Sequence, residues 1–149
     1  VIIRIEEHEA SATLLVNNRA FEVNGEGLVL RELDRKAAPV GALITGIPEM
    51  GPIEPGDRVE HPAFTAAMAT WKAFSASPLA EFLTLAEIAA QSANAVFTYF
   101  DEIPFEVRWG RRDFEAQAVR FYVLWHEMNG ALPCTEYLDL RFGSDLACK

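Results

Sequence analysis

Three histidines, two cysteines and a few clustered acids are the residues of this chain that could do chemistry, and their spacing assembles none of them into a working set. His8, His61 and His126 stand in no HExxH, HxH or Cys/His ligand pattern. His126 lies beside Glu127 on a helical stretch, where a solvated pair is expected over a general base. His61 precedes Pro62 at a helix start, which suits a local cap or a bystander. Glu6, Glu7 and Glu9 surround His8 without the fixed geometry a metal needs. Asp101-Glu102 reads as a hairpin tip, where acids serve the turn. Cys134 follows Pro133 with no histidine near it in sequence, so an idle thiol is expected over a nucleophile. GxSxG, P-loop and GxGxxG patterns are absent. We therefore expect no catalytic residue, no metal and no cofactor. The alternative is a small-ligand or hydrolytic domain with a scattered active site. It would require a concave pocket in which His126, Glu127 and Cys134 converge.

The elements that would position these residues follow from periodicity. Residues 1–6, 10–16 and 19–23 read as strands, Asn24 to Gly27 as a tight turn, and Leu28 to Leu30 as the strand that pairs back. Residues 31–41 are charged and irregular, Leu43 to Gly46 is a short apolar piece, and Pro48 to Val59 is loop. A helix opens at Pro62, with Phe64, Ala67, Met68, Trp71 and Phe74 as one apolar stripe. That stripe is core packing by default, not a cofactor wall. It ends at Ser77-Pro78, and one more helical turn fits 78–83. Thr84-Leu85-Ala86-Glu87 has the form of a capping box and predicts a short helix through Ala90. Residues 95–100 and 105–109 form a hairpin, with Phe105, Val107 and Trp109 on one face and Glu106 and Arg108 on the other. Asp113 is the expected N-cap of a long helix buried through Phe114, Ala118, Phe121, Tyr122 and Trp125, and Asn129-Gly130 stops it. Thr135 to Phe142 is the last strand. A helix between two strands implies a crossover after Trp109. The expected fold is α+β: a mixed, mainly antiparallel sheet packed with two main helices and an exposed C-terminal edge strand.

Bulk properties narrow the partners. The 149 residues suit one domain, or one domain plus a fragment of another; half of them are hydrophobic, and ten are Phe, so a core is available. The formal net charge of −9 opposes a phosphate backbone or an anionic membrane face. No run is long and apolar enough to cross a bilayer, and the chain opens at Val1 without an initiator Met, as a fragment would. Cys134 and Cys148 flank the last strand. Along one straight strand they stand roughly 45 Å apart at about 3.3 Å per residue, whereas a bridge needs Cα atoms within about 7 Å. A disulfide would require the chain to double back near Gly143-Ser144; the unbridged reading is favoured.

Three segments, in order, resemble the FtsQ/DivIB family of bacterial cell-division proteins. Ile2 to Leu30 carries Glu7, Ala10, Ala12, Val23, Gly27 and Leu30 at the family's positions, with His8 and no Pro after the acid. Phe105 to Trp125 is similar to the family's strand, Leu-Gly-Arg corner and long helix: Gly110, Arg111, Arg120 and Phe121 match, and Trp109 replaces Leu. Tyr137 to Phe142 (YLDLRF) is similar to its terminal strand through Asp139, Leu140, Arg141 and Phe142. Between them LITGIP, Leu43 to Pro48, resembles a further stretch. Ser92-Ala93-Asn94 lacks the basic residue common in the family, and the tail departs from it at Asp145 and Cys148.

The resemblance implies one β domain over 1–149, with 1–9 as a candidate junction to a preceding POTRA domain. It implies a membrane-anchored parent protein at the division septum, with this part on the extracytoplasmic side of the inner membrane. It implies a scaffold that binds FtsB-like and FtsL-like proteins, the former by adding a strand to the edge of the last strand. Tyr137, Asp139, Arg141, Phe142, Ser144 and Arg111 are the partner-binding residues so implied, Arg141 being suited to a partner carboxylate. No nucleic acid and no membrane contact by this region are expected. A related POTRA-associated secretion or outer-membrane module with the same kind of edge is a further alternative.

Overall fold

The computed structural model describes residues 11–141 and 147–149; the strand expected at 1–6, Phe142 and Ser144 lie outside that range. The chain opens as a meander of β1 (Ala12–Val16), β2 (Arg19–Val23) and β3 (Val29–Leu33). The tight turn of this meander is Asn17-Asn18, with φ of 50° and 63°, the left-handed pair that matches strand twist. The expected Asn-Gly turn works otherwise. The Asn24 side chain accepts from the N–H groups of Glu26 and Leu28, and the left-handed residue is Gly27. A Cβ there would meet the Val59 carbonyl at 2.9 Å, so the loop before the first helix closes onto glycine.

β4 (Leu43–Thr45) inserts between β1 and β5 (Leu85–Ser92), parallel to both. β5 continues through β6 (Ala95–Phe100) into β7 (Glu106–Trp109), all antiparallel. β8 (Tyr137–Asp139) joins β7 in parallel and β9 (Ala147–Cys148) returns antiparallel. The result is one nine-stranded sheet in the order β3-β2-β1-β4-β5-β6-β7-β8-β9. The helix expected after Thr84 is the strand β5. Its Ile88 and Ala90 are fully buried between β4 and β6, so pairing on both sides overrides the helix-forming preference of Ala, Glu and Gln. The two groups of the expected capping box serve other partners. The Thr84 N–H donates to the Glu102 carboxylate at 2.8 Å, and Glu87 accepts from the Thr45 hydroxyl at 2.6 Å.

Helix α1 (Pro62–Ala76) buries Phe64, Ala67, Met68 and Phe74 as its stripe requires, and Trp71 is half-buried. His61 caps it, its Nδ1 accepting from the Ala63 N–H at 3.1 Å. A 3₁₀ turn covers Pro78–Glu81. Helix α2 (Phe114–Glu127) provides the crossover from β7 to β8, and its Asn129-Gly130 stop has positive φ at both residues. Phe74, Phe100 and Phe121 touch in series at 5.3 and 5.7 Å between ring centres, linking α1, sheet and α2. Within the sheet, the buried Trp109 indole donates to the Thr98 hydroxyl at 2.9 Å.

Two expectations about the C-terminal strand are corrected. The strand is Tyr137–Asp139, shorter than Thr135 to Phe142, and the chain does double back: Cys134 and Cys148 form a disulfide with Cα atoms 5.1 Å apart. The straight-strand estimate failed because the return is set by pairing of Leu138 with Cys148 and Asp139 with Ala147. The sheet does end on an exposed C-terminal edge strand, and that strand is β9; β8, where the edge was expected, lies one strand further in.

Candidate functional site

Several of the expected partner-binding residues gather where β7, α2 and β8 meet. Trp109 ends β7, and Gly110 to Asp113 turn the chain into α2. Asp113, the expected N-cap, has φ 54° and no side-chain capping bond. The buried Gln117 holds the corner instead. Its Oε1 accepts from the Gly110 N–H at 2.7 Å, and its Nε2 donates to the carbonyls of Gly110 and Arg112 at 3.1 and 2.7 Å. One turn further, Arg120 Nη2 donates to the Leu140 carbonyl at 2.9 Å, tying α2 to the end of β8. Its Nε is buried with no hydrogen-bond partner among the described residues.

This corner encloses a cavity of about 250 Å³ lined by Arg111, Arg112, Arg120, Arg141, Asp113 and Gln117. Four arginines and one aspartate line one opening, which makes a locally cationic corner in a chain of net charge −9. Arg111 and Arg141, two of the expected partner-binding residues, line it together. Arg111 also borders a larger groove of about 680 Å³ between the N-terminal ends of α1 and α2, lined in part by Glu60, His61, Thr65 and Phe114.

Along β8 the expected residues divide between the two faces. Leu138 and Leu140 are fully buried. Asp139 is only 2% exposed although it lies on the opposite face. The next turn of chain covers it: Arg141 donates from its backbone N–H at 2.9 Å, from Nε at 2.9 and 3.1 Å and from Nη2 at 2.6 Å. Burial pushes the Asp139 carboxyl upward, but the hydrogen bonds and charge of Arg141, with Arg108 adding, outweigh it and hold the group below its ordinary value. Tyr137 is half-buried beneath the Arg108 guanidinium, 3.9 Å from ring centre to charge. Arg108 in turn donates to Glu106 at 2.8 Å, which also accepts from the Tyr99 hydroxyl at 3.1 Å. Thus Tyr137, Asp139 and Arg141 are anchored by their own chain, and Arg111 and Arg141 line the cavity. Sequence reasoning missed Arg112 and Gln117. The only trace of Gln117 was a polar residue in register with Phe114, Ala118 and Phe121.

Two of the residues expected for an enzymatic alternative have other places in the fold. Cys134 is buried and oxidised, so it holds no thiol. His126 stacks on Tyr122 at 5.9 Å between ring centres on an exposed face of α2. Among the described residues no three His, Cys, Asp or Glu side chains are grouped to hold a metal. None of the described helices is long and apolar enough to cross a membrane.

Fold and site together define an α+β domain with a cationic corner at the C-terminal end of its sheet. Residues 12–141 match the family described as cell division protein FtsQ/DivIB, C-terminal, and the chain belongs to that family. The family places it in bacterial cell division, as a generally non-enzymatic component of the division machinery. No curated protein matches the chain. The matched span ends at Arg141, so β9 and Cys148 lie beyond it.

Proposed function

We propose that this domain is a non-enzymatic scaffold that binds divisome partners at the C-terminal end of its sheet. FtsB-like and FtsL-like proteins are the partners, and the former adds a strand beside β8, on the side that β9 occupies in this structure. The observation that carries this reading is the shared cavity of Arg111 and Arg141 at the end of β8. A strand that takes the place of β9 there gains main-chain hydrogen bonds, and a carboxylate on it meets the arginines that line the cavity. Phe142 and Ser144 continue the same segment in sequence and complete the proposed surface; Tyr137 and Asp139 set its register.

In the parent protein we place this domain, residues 1–149, on the extracytoplasmic side of the inner membrane at the septum. The family resemblance supports residues 1–9 as a candidate junction to a POTRA domain in a membrane-anchored parent. The test is pull-down of an FtsB-like coiled-coil protein from the same genome, run with dithiothreitol so that the disulfide does not hold β9 over β8. Arg111→Glu, an exposed substitution, should reduce capture at least tenfold, and Arg141→Glu should do the same; capture equal to wild type in both would overturn the reading. Raised salt should weaken wild-type binding, since rim charges are screened.

A further inference from the structure

We infer that the Cys134–Cys148 disulfide locks β9 over the strand-docking edge of β8, and that a dithiol reductant opens that edge to an incoming strand. The inference rests on the proposed reading that β8 is where a partner strand adds.

The hydrogen-bond directions carry it. On the inner side, the Leu140 N–H donates to Arg108 of β7 at 2.9 Å. On the outer side, Tyr137 exchanges both its main-chain bonds with Lys149, each at 3.0 Å, and Asp139 pairs with Ala147. The groups a partner strand would need are therefore already taken by the chain's own tail. β9 is a poor substitute as a docking edge. Tyr137 and Lys149 form a hydrogen-bonded pair, so the Cys148 main-chain groups point away from β8. In a two-residue strand they are the only such pair offered outward by β9. A strand this short has little hold of its own, and the disulfide supplies the constraint. Cys148 is exposed, so a reductant can reach the bond. The lock also lies outside the family match, which ends at Arg141. On reduction the dithiol gives two electrons and two protons, forming its own disulfide and leaving thiols on Cys134 and Cys148. β9 can then leave, and its own register on β8 shows how an antiparallel strand fits.

Amide hydrogen exchange on the oxidised protein, the dithiothreitol-reduced protein and Cys148→Ser tests this. Protection at Tyr137 and Asp139 should fall at least tenfold in the latter two, while Leu140 keeps its protection as the check on folding. An excess of a synthetic peptide copying residues 143–149 with Cys148→Ser should restore it. Unchanged protection after reduction would overturn the inference, as would an opened edge that the peptide cannot protect. Because no partner protein enters this experiment, its failure is distinct from failure of the pull-down.

Discussion

Asp139 shows how one residue can be both a family signature and a structural part. Its carboxylate is buried and held ionised by Arg141, which reaches back two residues to cover it. A carboxyl with a depressed folded pKa contributes stability above its unfolded value of about 4 and loses it as pH falls through the folded value. The stability advantage of wild type over Asp139→Asn should therefore be full near neutral pH and shrink as pH drops below about 4. Urea unfolding at a series of pH values checks this; a pH-independent difference would mean the pair contributes through shape alone. The same contact lowers the freedom of Arg141, so under the proposed function its guanidinium would be oriented before a partner arrives.

At the level of elements, β5 carries the main surprise. A segment rich in Ala, Glu and Gln forms a central strand because it is flanked by β4 and β6, and its bulges near Ala86 and Gln91 blur the alternation. Ala89 lies opposite Phe97 on β6. A β-branched residue there gains a cross-strand contact of about 0.2–1 kcal/mol in a strand, whereas in a helix it would lose χ1 freedom. Ala89→Val should leave stability equal or raise it by that amount, measured by chemical denaturation. A clear loss would count against the strand.

For the whole molecule, the sheet's two ends are finished differently. At β3 the loop before α1 closes on the edge: the Val29 N–H donates to Asp57 and the Gly56 N–H to the Val29 carbonyl, both at 2.8 Å. At the other end a covalent clip holds the last strand. With a sequence separation of 14 the disulfide constrains a short loop, worth about 3 kcal/mol in the chain-entropy account. For a domain of this size that is a midpoint shift of about 6–12 °C. Calorimetry with and without dithiothreitol should show a drop of that order. The reduced protein should still unfold cooperatively, since the buried Val107, Trp109 and Phe121 belong to elements that do not pair with β9.

By itself the sequence determined what short-range periodicity and turn chemistry can encode. The meander, both helices with their stripes, the 95–109 hairpin and the crossover into Tyr137 are all written in patterns spanning a few residues. Family resemblance singled out Arg111 and Arg141, and the structure brings both to one cavity. Only the tertiary structure decided that 85–92 is a strand, that Gln117 rather than Asp113 secures the start of α2, that Asp139 is buried, and that Cys134 meets Cys148. Each depends on which distant segment arrives as neighbour: Thr45 beside Glu87, Gly110 beside Gln117, Ala147 beside Asp139. Local pattern states what a segment prefers when alone; pairing and burial, which are long-range, set what that preference must yield to.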